Sequence, residues 1–258
     1  MSFFDKFKKS SNPVLSENRM YETTRRGQAD GGNIVLDHDR APSTVSGAVN
    51  KTFLLTFLLL LTSLYSFANP SPLFVWGGVI GGLGLVLAMC FKPKWSPTLA
   101  PVYALVEGLF VGSISAIYAA SFGAGIVFQA ILLTVSLLFM MLFIYKAGII
   151  KVTNKFRNGV MMATGAIMMV YLINIVLSFF GMNIPFLHEG GLIGIGISVV
   201  IIVVATLNLL LDFDSFEKIE AMRAPKYMEW FVSMGLIVTL VWLYLELLRL
   251  LAVLQGDD

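Results

Sequence analysis

Lysine and arginine are confined to alternate gaps between seven long apolar stretches, and this pattern leaves the chain very few ways to fold. The stretches run approximately over 51–68, 72–91, 99–120, 123–145, 159–180, 191–211 and 230–254. Basic residues from Lys6 to Arg40 precede the first stretch, with Lys51 at its edge. Lys92 and Lys94 follow the second, Lys146, Lys151, Lys155 and Arg157 follow the fourth, and Lys218, Arg223 and Lys226 follow the sixth. The gaps after the first, third and fifth hold none. Of 18 basic residues only Arg249, inside the seventh stretch, departs from the alternation. Cytoplasmic loops of membrane proteins collect Lys and Arg. The pattern therefore predicts seven spans, with the N-terminus cytoplasmic and the C-terminus outside.

Each stretch has about the 20 residues that a helix needs to cross the hydrocarbon core. Backbone polar groups must be paired internally in lipid, and the short alternating segments of a membrane barrel are missing, so the expected fold is an all-α, seven-helix bundle. Hydrophobic residues make up 57% of the chain and charged residues 13%, unlike a soluble domain. The net charge of +2 says nothing in favour of nucleic acid, because the basic residues are accounted for by topology. A single cysteine, Cys90, excludes an internal disulfide. No cleavable signal peptide is visible.

Residues 1–47 are polar, lack apolar periodicity and read as a mobile cytoplasmic tail; residues 48–258 read as one membrane domain. Asn69-Pro-Ser-Pro72 reads as a tight turn, and the longer outward connection Gly181–Gly190 carries His188 and Glu189. Glycines at four-residue spacing (Gly77 and Gly81, Gly78 and Gly82, Gly108 and Gly112) mark close helix approach, within the bundle first and between two copies as the alternative. Trp76, Trp95 and Trp230 stand near span ends, where interfacial anchoring is the ordinary role.

Function in such a chain is sought at its intramembrane ionisable groups. Glu107 is eight residues into the third stretch, about 12 Å deep at 1.5 Å per residue. It must face the bundle interior or water, or take up a proton, and a structural hydrogen bond to a neighbouring helix weighs equally. Asp212 and Asp214 close the sixth stretch at the cytoplasmic mouth. Residues i and i+2 point about 200° apart on a helix, so one can face the bundle while the other faces solvent. Carboxylates sharing a site titrate as a coupled group, which suits a pH-dependent cation gate. Glu246 and Arg249 have ion-pair spacing on the last span, either as part of a pathway or as a neutral anchor, with Arg249 able to reach the outer interface.

No enzyme constellation is found. The last span has no Lys for a Schiff base, no His-x-x-x-His appears, and neither a Gly-x-Ser-x-Gly nor a phosphate-binding Gly-rich loop is present.

Five blocks of sequence together are similar to one family. They are Ala100-Pro-Val-Tyr-Ala-Leu-Val-Glu-Gly-Leu-Phe-Val-Gly112, Lys151-Val-Thr-Asn-Lys-Phe-Arg-Asn-Gly-Val160, Ala205-Thr-Leu-Asn-Leu-Leu-Leu-Asp-Phe-Asp214, Ala224-Pro-Lys-Tyr-Met-Glu-Trp230 and Trp242-Leu-Tyr-Leu-Glu-Leu-Leu-Arg-Leu-Leu251. Over roughly 48–254 the chain resembles the YccA/Bax-inhibitor superfamily (transmembrane BAX inhibitor motif), in a bacterial branch with a longer N-terminal tail. The resemblance implies seven spans with the last one central, location in the bacterial inner membrane, and a proton-sensitive calcium leak. It implies a paired carboxylate sensor whose first member maps onto Asp212, with Asp214 beside it. The second member maps onto Glu246 through Leu243-Tyr-Leu-Glu246, or onto Thr239 when the alignment is made on Leu247-Leu-Arg249; Glu107 and Asp214 are further candidates. No cofactor is implied. Ca²⁺ near Asp212 is the expected transported ion, and the lipid bilayer, Ca²⁺ and protons are the expected partners. The alternative function is a non-conducting regulator that binds another membrane protein, such as a quality-control protease. A continuous polar path from Glu246 through Glu107 to Asp212 would favour conduction, and a dry bundle with each acid paired would favour the regulator.

Overall fold

The computed structural model describes residues 42–179 and 192–256. Its helices are α1 (Val45–Ala68), α2 (Pro72–Phe91), α3 (Ser96–Phe122), α4 (Gly125–Lys146), α5 (Asn154–Phe179), α6 (Leu192–Ala221) and α7 (Tyr227–Gly256), with a 3₁₀ turn at Pro93–Trp95 before α3. All seven are long and apolar enough to cross a membrane, and no strand occurs among the described residues beyond one isolated bridge, Pro42 to Pro225. The expected all-α seven-span bundle is what forms. The tail up to residue 41 and the connection holding His188 and Glu189 lie outside the described residues.

Local signals set the helix ends. Thr44 caps α1 by accepting from the Gly47 N–H. Ser71 caps α2, with Pro72 at the first helical position, where a missing N–H costs nothing. The turns after α4 and α6 share one design. Gly148 takes φ 66° while its N–H reaches the Tyr145 carbonyl and the next N–H reaches Ile144. After α6, Arg223 takes φ 48°, its N–H reaches Glu220, and the Ala224 N–H reaches Ile219. Both are Schellman closures, but only the first has the glycine that the left-handed position favours.

Two boundaries differ from those read in the sequence. The tail-to-domain boundary at 47/48 falls inside the first turns of α1. Residues 43 and 44 are already fixed, the Ser43 N–H to the Ala224 carbonyl at 2.7 Å and the Ser43 hydroxyl to the Pro225 carbonyl at 2.6 Å. The sixth helix does not close at Asp212 and Asp214 but continues to Ala221. Its charged last turns find partners: Asp214 with Lys218 at 2.8 Å and with Arg157, and Glu217 accepting from the Tyr145 hydroxyl at 2.8 Å. Apolar runs report the thickness of lipid, not the length of a helix that emerges from it.

α7 is the hub, packing against α1, α3, α4 and α6, whereas α2 rests chiefly on α3 and α5 chiefly on α6. Spacing along α7 explains how one helix serves so many. Ile237, Val241, Tyr244 and Leu248 recur every three or four residues and join the core formed with α1, α3 and α4. Val232, Leu236, Leu243 and Leu247 form a second stripe in the core shared with α6. In lipid, helices associate through close packing more than through hydrophobic burial. Gly108 and Gly112 of α3 lie directly on the Leu59 and Ser63 carbonyls of α1, and Gly78 of α2 lies on Phe110. These glycines serve packing within the bundle. Gly77 meets nothing nearby.

Candidate functional site

The third stripe of α7 is polar. Gly235, Thr239, Trp242, Glu246 and Arg249 recur at three- and four-residue spacing and so share one face. That face looks toward α5 and α6, and together the three helices form a polar seam.

At one end of the seam, the Tyr171 hydroxyl of α5 donates to Glu246 Oε1. Arg249 lies 3.8 Å from Glu246 Oε2, and donates to the Tyr171 hydroxyl at 3.4 Å and to the Ser198 hydroxyl of α6 at 3.3 Å. Glu246 and Ser198 are buried. The predicted ion-pair spacing of Glu246 and Arg249 thus produces a long contact, shared with a tyrosine and a serine from two other helices.

Further along, the Asn208 side-chain amide of α6 donates to the Thr164 hydroxyl of α5 at 2.7 Å. One turn on, Asp212 faces α7: its Oδ1 is 3.9 Å from where a side chain on Gly235 would begin, and the Thr239 hydroxyl lies beside its carboxyl. Asp214 points away, to Arg157 of α5 and Lys218. The i, i+2 divergence expected for these two aspartates is present. The group the structure sets against Asp212 is Thr239, while Glu246 lies seven residues beyond Thr239 on α7, about 10 Å along the axis.

Glu107 is not on the seam. It is buried, 9% exposed, between α3 and α2, with Oε2 2.6 Å from where a side chain on Gly82 would begin and Tyr103 as a close neighbour. The path from Glu246 through Glu107 to Asp212 is therefore not the one the helices make; Thr164, Asn208 and Trp242 occupy the interval instead.

Among the described residues, the buried side-chain atoms left without a hydrogen bond are Arg157 Nε, Asp212 Oδ2, Trp242 Nε1 and Glu246 Oε2. Trp242 and Glu246 belong to the polar stripe of α7 and Asp212 faces it, whereas Arg157 holds Asp214, which points away. Each such atom costs about 1–3 kcal/mol unless something polar reaches it.

A second polar site lies at the start of α7. Glu229 is fully buried, accepts from the Thr44 N–H at 2.8 Å and the Thr44 hydroxyl at 3.2 Å, and pairs with Lys226 at 2.7 Å and with Lys51. Lys51 also lies over the Trp230 ring, 5.4 Å from its centroid. The carboxylate thereby caps α1 from the far end of the sequence, where unpaired N–H groups favour negative charge. Sequence reading did not single out Glu229. Its only local signal is an acid in the first turn of a helix.

No cluster of three or more His, Cys, Asp or Glu able to hold a metal ion occurs among the described residues. A family model described as Bax inhibitor 1 like matches residues 12–256. No curated protein matches the chain.

Proposed function

Because the chain belongs to the Bax inhibitor 1 like family, we propose that this multi-pass membrane protein is a pH-sensitive cation leak whose pathway follows the α5–α6–α7 seam. The basic alternation supports α1 starting on the cytoplasmic side, and the family resemblance supports a bacterial inner membrane. The observation that carries the reading is Asp212 Oδ2, a buried carboxylate oxygen without a hydrogen bond on the face of α6 that meets α7. A buried carboxylate oxygen without a partner is costly unless water, a cation or a proton reaches it. Asp212, with Oδ2 in that state and Thr239 beside it, is the place where a proton and a cation compete. One carboxylate with neighbouring hydroxyls is a weak oxygen site, as a passing Ca²⁺ requires, since tight calcium sites gather six to eight oxygens.

Arg249 and Arg157 neutralise the acids flanking this point, Glu246 and Asp214. That pairing favours the second reading, a non-conducting regulator bound to another membrane protein.

Calcium flux into proteoliposomes between about pH 5 and 8 separates the two, comparing the parent chain with Asp212→Asn. The leak reading expects pH-dependent flux that loses its pH dependence in the variant. No flux above empty liposomes from folded protein leaves the regulator.

A further inference from the structure

α1 and α4 both pack on α3 and α7 but hardly on each other. Between them runs a groove of about 340 Å³, at the lower end of the range for ligand cavities. Its floor is made by Val111 and Ser115 of α3 and by Ile237, Val241 and Tyr244 of α7, all buried. Its walls include Leu60 and Leu64 of α1 and Ile131 and Val135 of α4, all exposed. The groove is therefore continuous with the lipid-facing surface of the bundle. Along α1 its lining extends from Thr56 to Phe67, about 16 Å at 1.5 Å per residue. That is close to the hydrocarbon depth of one leaflet, half of roughly 30 Å. Phe67 is next to the last residue of α1 and Val127 lies near the first of α4, so the groove occupies the half of the bilayer in which α1 ends and α4 begins.

The lining decides what can fill this space. Its hydroxyls belong to Thr56, Ser63, Ser115, Thr134 and Tyr244. Thr56, Ser63 and Thr134 donate to carbonyls of their own helices at 2.8, 3.0 and 2.8 Å. Ser115 donates to the Val111 carbonyl at 2.6 Å, which leaves Tyr244 to donate to Ser115, also at 2.6 Å. A water held here needs two to four polar partners, and every one of these hydroxyls has its hydrogen committed. An empty groove would forfeit the dispersion contacts by which helices associate in lipid. Hydrocarbon restores those contacts and asks for no hydrogen bond. We propose that the groove holds one acyl chain of a bilayer phospholipid, in the outward leaflet on the topology that the basic alternation supports. The chain stands in for the missing contact between α1 and α4 and covers α7 where no helix does. This site lies apart from the α5–α6–α7 seam and holds whether or not the seam conducts.

The test maps where lipid reaches. The full-length chain is reconstituted in vesicles of phosphatidylcholine and phosphatidylglycerol that include a phospholipid with a diazirine on one acyl chain. After irradiation, labelled residues are located by peptide mass spectrometry. The walls meet any surrounding lipid, so their labelling shows that the reaction worked. Labelling is also expected on the floor, at Val111 and Tyr244, and should fall at least about ten-fold in Val135→Trp, whose indole fills the mouth of the groove. Val135 is exposed, so the change disturbs no core packing, and Ile131→Trp serves if the first variant does not fold. Ile80→Trp, on the exposed face of α2, should leave floor labelling unchanged. Labelled walls with an unlabelled floor, or floor labelling indifferent to both filling variants, overturns the site. An unlabelled floor in a chain that sediments as a dimer gives the groove to a second copy and overturns it likewise.

Discussion

Removing the Glu229 carboxylate is expected to unlatch α1 from α7. In Glu229→Ala three contributions are lost. The cap on the Thr44 N–H and hydroxyl, at 2.8 and 3.2 Å, is of the kind whose loss costs about 1 kcal/mol. The charged contacts to Lys226 and Lys51 are of the class that contributes about 1.5–3 kcal/mol each when desolvated. A discount applies, because the lysine side chains are 34% and 16% exposed and can turn toward water once released, so the full penalty for a stranded charge does not arise. Non-additivity trims the sum further, giving about 2–4 kcal/mol. Glu229→Gln keeps an acceptor for the Thr44 N–H and should cost about half as much. Denaturation in mixed micelles, followed by helical circular dichroism, measures both. A double-mutant cycle with Lys51→Met should show a coupling of about 1–2 kcal/mol. A Glu229→Ala variant within about 0.5 kcal/mol of the parent, the range of an ordinary surface substitution, would falsify the latch.

Gly112→Val should cost about 1–3 kcal/mol, because its Cβ lands on the Ser63 carbonyl, which is backbone and cannot swing aside; Gly77→Ala, with open space at the Cβ, should be neutral or slightly stabilising in the same unfolding assay. Arg223→Gly should stabilise by about 0.5–1 kcal/mol, since the residue already takes φ 48° and a glycine relieves the Cβ strain without altering the Schellman bonds; a loss of stability would show that the arginine side chain matters more than its backbone.

How much of this was legible beforehand depends on the range over which each signal acts. The seven spans were readable because lipid imposes the same demand on every stretch, and the order of basic gaps needs no three-dimensional knowledge. Gly108 and Gly112 announced close packing, and α1 is what they touch. The Glu246–Arg249 spacing correctly placed both on one face, but Tyr171 and Ser198, which complete their surroundings, come from helices whose rotation the sequence does not state. Glu107 shows the same limit. A glutamate in an apolar run is visible, while its aim at Gly82 of α2 depends on how α3 is turned. Glu229 was hidden for another reason: its partners at Thr44 and Lys51 are nearly two hundred residues away, and an acid at a helix start looks like any other first-turn acid. The alternation of sensor candidates, Glu246 or Thr239, found a geometric outcome in that Thr239 is the residue set against Asp212.

The central place of α7 has a consequence for biogenesis. Each described helix packed against it precedes it in the chain, so the ribosome releases those staves of the bundle before the axle. Until α7 is inserted, Asp212 and Ser198 of α6 have no α7 face to meet and must be shielded by the insertion machinery or by one another. A chain stopped in the α6–α7 turn would present quality control with six inserted helices around an unfilled slot, and maturation of this bundle becomes an event of the thirty-residue α7.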